Sequence, residues 1–286
     1  MGGPIFNFIF LFLEKELWME ELRDVQKETP EYQYDINQVG IRNARLPVNV
    51  LTKEGTIIPS VATFNLYVSL DKSQRGTHMS RFLQIIQDKV GTTVINYEFI
   101  KNLLQRISEE IGGNSFVRVD FPYFIQKTTP VTNLKNIIPT DVTLKGSLIN
   151  GGYEFTFKVK HIVMSLCPCS KEISRYNAHN QRALVSVAIT PKDPTKIIWF
   201  EDIINIIETC SSGPVFSILK RMDEKFVTEY SYDNPKFCED IVRCIAHVIN
   251  ERYKNEYKKV VIESEHLESI HPHNAFARLK LIGEGL

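Results

Sequence analysis

The sequence has no excess of charge of either sign, since 34 Lys and Arg residues balance 34 Asp and Glu residues in a chain of 286. It therefore lacks the overall field that would attract nucleic acid or an anionic membrane. It also contains no P-loop, no Gly-x-Gly-x-x-Gly, no Gly-x-Ser-x-Gly and no His-Glu-x-x-His segment. We expect no nucleic-acid partner and no membrane partner, and the sequence motifs of several common enzyme classes are absent.

Cysteine is scarce, and its number is odd. Five cysteines do not suggest a disulfide framework. Cys167 and Cys169 are too close in sequence for an easy mutual bridge, whereas Cys210, Cys238 and Cys244 lie in apolar, helix-like patterns. We expect these three to be buried, unpaired thiols, which is typical of free cysteine. A reducing, cytoplasmic location fits this usage best.

No apolar run is long enough to cross a membrane as a helix. Residues 4–13 form the longest candidate, about ten residues against the roughly 20 that a span requires. This run also lacks the positive segment and the small-residue cleavage site of a secretion signal. Because a polar segment begins at Met19, our hypothesis is that residues 1–18 are a non-native extension.

Hydrophobic periodicity predicts an α+β fold with antiparallel sheets and helices on one face. Residues 61–70 alternate as a half-buried strand does, and residues 97–111 repeat as a helix that ends at Gly112. Strands at 116–121 and 141–149 and a turn at 150–152 follow. The same order recurs with strands at 153–163, 183–190, 259–264 and 275–281 and helices at 200–209 and 235–253. We therefore predict two similar modules, residues 19–150 and 151–286.

Cys167 and His179 are the first candidates for chemistry. Thiolate and imidazole are good ligands for borderline-soft metals such as Zn²⁺ or Fe²⁺. The sequence separation of twelve positions allows a loop to fold back so that both residues reach one ion. No second cysteine pair supports a closed structural zinc site. An open metal site and a partly buried cysteine beside a loop histidine both remain possible from the spacing alone.

Three other segments contain groups that could bind substrate. His271 and His273 flank Pro272 in a predicted loop and could be ligands or proton shuttles. Lys220 and Arg221 could bind an anion near the carboxylate of Glu229, although a charged run is usually a solvated surface. Arg81 could bind phosphate beside a helix N-terminus, where Ser80 or Thr77 could equally be a cap.

Together, these segments resemble the type IB GTP cyclohydrolase I family, which has a bacterial and an archaeal branch. The resemblance covers roughly residues 19–282 and is carried by Gly76-Thr-His-Met-Ser-Arg-Phe82, Cys167-Pro-Cys169, Ala178-His-Asn-Gln-Arg182, the segment 219–229, Asn234-Pro-Lys-Phe237 and Glu268-Ser-Ile-His-Pro-His273. It implies a tunnelling fold (T-fold) of two ββααββ-like modules. It also implies a homotetramer with active sites between subunits and GTP as the substrate.

The resemblance also implies residue roles. Cys167 and His179 would bind a divalent metal, Fe²⁺, Mn²⁺ or Zn²⁺, that activates water for attack on C8 of GTP. Glu229 would anchor the guanine, and His271 and His273 would serve in catalysis, through substrate binding or proton transfer. The remaining substrate-binding residues would be the cations and histidine Lys171, Arg182, Lys220, Arg221, His78 and Arg81.

The chain departs from some relatives at Pro214, where they have a carboxylate ligand. The third ligand would then be water, substrate N7 or a carboxylate elsewhere, such as Glu208. The implied reaction releases formate and gives 7,8-dihydroneopterin triphosphate, or a 2′,3′-cyclic phosphate in the archaeal branch, as the first step of pterin synthesis. The alternatives are a T-fold nitrile reductase that uses Cys167 as its nucleophile and a non-catalytic oligomeric module held together by metal.

Overall fold

The computed structural model describes residues 24–87, 91 and 93–283. The predicted extension, residues 1–18, lies outside them, as does Met19. Within these ranges the strands are β1 (Ile36–Leu51), β2 (Ile57–Leu70), β3 (Ser115–Thr128), β4 (Lys135–Ile149), β5 (Gly152–Leu166), β6 (Asn180–Pro191), β7 (Gly213–Pro214), β8 (Tyr257–His266) and β9 (Ala275–Ile282). The helices are α1 (Met79–Gln87), α2 (Tyr97–Ile111), α3 (Pro168–Ile173), α4 (Phe200–Cys210), α5 (Arg221–Asp233) and α6 (Cys238–Tyr253).

All the described strands belong to one antiparallel sheet with the order β1-β2-β3-β4-β5-β6-β8-β9, and the short β7 pairs with β5. The two halves of the sequence meet at the hairpin between β4 and β5. Asn150 and Gly151 form its turn with φ of 49° and 79°, the left-handed values that a tight two-residue hairpin requires. The predicted turn is confirmed, and the sheet continues across it.

The longer helices pack on one face of this sheet. β4 and β5 alternate buried and more exposed residues, as strands with one covered face do. α2 lies close above β4 because Gly146 has no side chain. A Cβ there would stand 2.6 Å from Ile100 and 2.7 Å from Leu104. The α+β class with helices on one face is confirmed, and no helix among the described residues is long and apolar enough to cross a membrane.

The predicted start of the last long helix is wrong. α6 begins at Cys238, where the Asp240 carboxylate accepts a hydrogen bond of 3.1 Å from the Phe237 amide. Asn234, the residue before the helix predicted at 235–253, instead ends α5 and donates from its side chain to the Tyr230 carbonyl at 2.7 Å. The sequence of α5 is a charged run that does not look like a helix with a buried face. The sequence pattern therefore places the beginning of the next helix at the end of α5.

The prediction of unpaired cysteines is also wrong for two residues. Cys210 at the end of α4 and Cys244 within α6 form a disulfide, with Cα atoms 5.6 Å apart. Cys167, Cys169 and Cys238 are free, and Cys238 is buried as expected. The pairing joins positions 34 residues apart on two packed helices. The helical pattern around each cysteine does not reveal this packing.

We predict that the double substitution Cys210→Ser and Cys244→Ser lowers the free energy of unfolding of the oxidised protein by about 2–4 kcal/mol, because the crosslink restricts the unfolded chain. Thermal unfolding with and without reductant measures this. Reductant should lower the Tm of the wild type but not of the double variant. The matched control is Cys169→Ser, whose thiol is free and exposed, and a wild-type Tm that is insensitive to reductant would contradict the prediction.

Candidate active site

The pairing of β5 with β6 places Cys167 beside His179. The last register pair of these strands is Leu166 with Asn180, so the chain leaves and re-enters the sheet at neighbouring positions. Cys167 and His179 are the next residues outward, and the Cys167 amide donates a 3.2 Å hydrogen bond to the His179 carbonyl. The Ser170 hydroxyl on α3 contacts both, donating to the Cys167 carbonyl and accepting from the His179 amide, each at 3.2 Å.

The His179 ring is oriented by a buried glutamine. Its Nδ1 lies 2.8 Å from Gln181 Oε1, and because an amide oxygen only accepts, Nδ1 must carry the proton. The Gln181 amide nitrogen donates in turn to Glu268 Oε1 at 3.5 Å, which fixes the orientation of the amide. The other Glu268 oxygen is 3.8 Å from Nδ1. In the neutral ring this hydrogen bond leaves the lone pair of His179 on Nε2, the tautomer that binds a cation through that atom.

The residues present supply part of a metal site. Cys167 is a free, partly exposed thiol, and His179 presents an unprotonated nitrogen, so two donors fit a divalent ion. No group of three His, Cys, Asp or Glu side chains that could hold an ion occurs in residues 24–87, 91 and 93–283. A complete ligand set is therefore not formed by one chain within those ranges.

Glu208, the predicted alternative third ligand, is engaged elsewhere. Its Oε1 lies 2.5 Å from Lys127 Nζ and 2.9 Å from His161 Nε2. Burial would raise the pKa of this carboxyl, but the hydrogen bond from His161 and the charge of Lys127 outweigh it and lower the pKa. His161 precedes Cys167 by six positions on the same strand, or about 20 Å. Glu208 is thus not beside Cys167 in the same chain.

A buried histidine supports the strands behind this loop. The His266 ring lies between Ser165 and Ser264, with Nδ1 2.9 Å from the first hydroxyl and Nε2 3.1 Å from the second. Burial lowers the pKa of His266 to about 4, although Glu239 partly opposes the effect. The next residue, Leu267, donates its amide to the Arg182 carbonyl at 2.9 Å. His266 is not among the residues predicted from the sequence, since neither its spacing nor its neighbours distinguish it from a surface histidine.

Helix α5 is attached to the Cys167 loop at its C-terminal end. The Lys171 ammonium donates to the Tyr232 carbonyl at 2.6 Å and lies over the aromatic ring of Tyr232. The side-chain amide of Asn180 donates to the Ser231 hydroxyl at 3.0 Å. Lys171, a predicted phosphate ligand, therefore has a structural partner already.

The predicted substrate residues of α5 are solvent-exposed. Glu229 is 64% exposed and contacts Lys225 at 3.8 Å. Lys220 and Arg221 begin the same helix, about two turns or roughly 12 Å from Glu229. Arg182 is exposed on β6, next to Gln181. Two turns of helix therefore separate the Glu229 carboxylate from Lys220 and Arg221 within one chain.

The two predicted loop histidines are together, whereas the residues of α1 are remote. His271 and His273 stack with ring centroids 5.1 Å apart in the exposed loop after Glu268. His78 lies 3.4 Å from Asp24, and Arg81 donates to the Glu110 carbonyl at 3.3 Å. Since α1 packs against β1, four strand spacings from β5, this pair is roughly 20 Å from Cys167 across the sheet.

Comparison with known proteins identifies a family. The family model described as type I GTP cyclohydrolase folE2 matches residues 22–277. Two similar proteins, both named GTP cyclohydrolase FolE2, are from Azoarcus sp. strain BH72 and Pseudothermotoga lettingae. The first is 43% identical over 260 residues, covering 90% of this chain and 94% of the relative. The second is 42% identical over 258 residues, covering 90% and 97%.

Solved structures with a similar fold include urate oxidase from Bacillus sp. TB-90. A highly active mutant of that enzyme superposes with a TM-score of 0.57 at 11% identity, covering 86% of this chain and 99% of the other. The mutant R298C gives a TM-score of 0.53 at 11% identity, with 87% and 99% covered. At this identity the likeness concerns the fold alone, and it agrees with the tunnelling fold that the sequence resemblance implies.

We predict that acid destabilises this protein partly through His266. The folded-state pKa is depressed, so the unfolded chain takes up a proton at a higher pH than the folded one does. Stability should therefore fall as the pH drops from 6.5 to 4, by up to about 3 kcal/mol from this residue. Urea unfolding at pH 7, 6, 5 and 4.5 measures the free energy.

The variant His266→Gln isolates this effect. In it, the loss of stability between pH 6.5 and 4 that is due to His266 should disappear. His247→Gln, on the exposed face of α6, is the matched control and should behave as the wild type does. Identical pH dependence in all three proteins would show that His266 does not titrate as its burial requires.

Proposed function

Because the chain belongs to the type I GTP cyclohydrolase FolE2 family, we propose that it is a GTP cyclohydrolase. It hydrolyses GTP at C8 and releases formate, and its product is 7,8-dihydroneopterin triphosphate or, as in the archaeal branch, a 2′,3′-cyclic phosphate. The observation that carries the proposal is the junction of Cys167 with His179, in which a free thiol adjoins a histidine whose Nε2 is available.

In this proposal Cys167 and His179 hold a divalent metal, Fe²⁺, Mn²⁺ or Zn²⁺. When bound, the ion supplies Lewis acidity and lowers the pKa of water in contact with it. Gln181 keeps the proton of His179 on Nδ1, which directs Nε2 to the cation. Glu268 accepts from Gln181 and holds that amide in its orientation.

The substrate groups have assigned roles. The exposed Glu229 carboxylate accepts from the N–H edge of guanine. His271 and His273 lie three and five residues after Glu268 and move protons or contact the ribose. The triphosphate is held by the cations and histidine proposed from the sequence, namely Lys171, Arg182, Lys220, Arg221, His78 and Arg81.

We further infer that the site is completed between subunits of a homotetramer. His78 and Arg81 are too far from Cys167 within one chain to reach the same substrate, and they can do so only from a second copy. The sheet ends at β1 and β9, and each end strand has one unpaired edge among the described strands that a copy can contact. The two ββααββ-like modules, residues 19–150 and 151–286, are proposed to meet at the β4–β5 hairpin.

We also propose a cytoplasmic location, where GTP is available. The Cys210–Cys244 disulfide is unusual for such a compartment. The redox state of this pair in freshly lysed cells, measured by thiol alkylation and mass spectrometry, tests the proposal.

We predict that the metal-stripped protein, reconstituted with Fe²⁺, Mn²⁺ or Zn²⁺, releases formate and a fluorescent pterin from GTP. Cys167→Ala should lower kcat/KM by about a thousandfold or more, because it removes a ligand of the activating ion. Cys169→Ala is the matched control, two residues away with an exposed free thiol, and should retain activity.

Each other result has a defined meaning. Protein that is inert with every metal, or a Cys167→Ala variant as active as the wild type, contradicts the proposal. Activity that survives chelation but requires Cys167 would indicate a nucleophilic cysteine, as in a nitrile reductase. Loss of the fold on chelation, without activity in the loaded protein, would indicate a structural metal.

We predict that Gln181→Leu weakens Zn²⁺ binding by about ten- to a hundredfold, because the Nδ1 proton of His179 loses its acceptor. Competition with a chromogenic chelator measures the affinity without reference to activity. Gln84→Leu on the exposed face of α1 is the control. Equal affinity in wild type and Gln181→Leu would mean that the ring orientation does not depend on this hydrogen bond.

A further inference from the structure

The sheet face opposite the helices contains a depression of about 600 Å³ that spans the strands from β1 to β9. Five cationic side chains and only two carboxylates line it. The cations are Arg118, Lys145, Lys158, Lys259 and Arg278. The carboxylates are Glu154 and Glu263. Such an imbalance is unusual in a chain whose formal charge is zero.

The carboxylates near the depression are already committed. Glu263 lies 3.3 Å from the Lys158 ammonium and 3.6 Å from the Arg278 guanidinium. Asp120, at its border, accepts two hydrogen bonds from Arg118, of 2.7 and 2.8 Å. Glu263 and Asp120 are therefore already paired with three of the five cations, namely Lys158, Arg278 and Arg118.

In the part of the chain that the structure describes, Lys145 has no carboxylate in direct contact, and the charge of Asp120 acts on it only from beyond ion-pair distance. It forms no ion pair within 4.0 Å among the described residues, and Glu154 lies opposite Ser147, two residues along β4 from Lys145. Its direct cross-strand partner is Arg118, and like charges in that position destabilise a sheet.

The electrostatic environment of Lys145 agrees with this arrangement. Desolvation, followed by the charges of Arg118 and Lys158, lowers the pKa of Lys145, and Asp120 only partly opposes them. Lys259 acts in the same direction. A local conflict of this kind in an otherwise regular sheet is expected where a ligand resolves it.

We propose that Lys145, Arg118, Lys158 and Lys259, here named the Lys145 cluster, bind a multivalent phosphate-type anion of the pyrophosphate class. The cations project from adjacent rigid strands, so little ordering is needed when the anion binds. Asp120 holds Nε and Nη2 of Arg118, so this guanidinium presents Nη1 to the anion. Together with the ammonium groups it donates charge-assisted hydrogen bonds to phosphoryl oxygens. Lys158 precedes Cys167 by nine positions on β5, so the cluster lies about 30 Å from Cys167 of the same chain.

The test uses inorganic pyrophosphate and calorimetry on the full chain. We expect Lys145→Met to weaken pyrophosphate binding by about ten- to a hundredfold, the effect of losing one charged donor. Lys135→Met is the matched control, because Lys135 is an exposed lysine on the same strand outside the depression. The substitution Lys135→Met should change the pyrophosphate affinity less than about twofold. Lys135 is more than a Debye length from the Lys145 cluster, so salt screens its charge.

Thermal unfolding and GTP kinetics distinguish binding at the Lys145 cluster from binding at the GTP site. Without pyrophosphate, Lys145→Met should unfold at the same or a higher temperature, because the substitution removes repulsion from Arg118. The KM for GTP should be unchanged. Equal pyrophosphate affinity in wild type and Lys145→Met, an equal loss in Lys135→Met, or a KM for GTP that rises in step with the lost pyrophosphate affinity would each overturn the proposal.

Discussion

The candidate site depends on one element of the fold, the antiparallel pairing of β5 with β6. This pairing continues to Leu166 and Asn180, where the backbone hydrogen bond from Cys167 to His179 closes the loop. Both candidate metal donors therefore project from the ends of rigid strands. The Ser170 hydroxyl, within the loop, hydrogen-bonds to the backbone of both residues. The strand ends and this one side chain hold the two donors in position.

Support for these donors comes from residues distant in sequence. Gln181 orients the His179 ring and is held by Glu268, which lies just beyond the end of β8. His266 holds the end of β8 against β5 through Ser165. β8 thus contributes to the orientation of His179 without supplying a donor. His266 thus has a structural role behind the site, although it does not contact the two candidate metal donors.

Local patterns predicted much of the fold, and they singled out Cys167 and His179 as candidates, which the structure places side by side. The Asn150–Gly151 turn and the helix over 97–111 follow from short-range sequence preferences, and both are present as predicted. Gln181, His266 and the Cys210–Cys244 pair depend on contacts across 34 or more residues or on side-chain orientation, which periodicity does not encode. α5 was missed because its apolar stripe is weak and its buried Asp223 satisfies loop amides of Val131 and Thr132 rather than contributing to an apolar face.

The two faces of the sheet differ in how they affect stability. The covered face stabilises the fold by burial, and Gly146 allows α2 to approach closely enough to exclude water. The open face contributes little apolar burial, so the repulsion between Arg118 and Lys145 is not needed for folding and reduces stability. A sheet that only had to fold would avoid this pair, and many uncharged residues would fit the exposed position of Lys145. A cation at position 145 is what the anion binding proposed for the open face requires, while the opposite face forms the core.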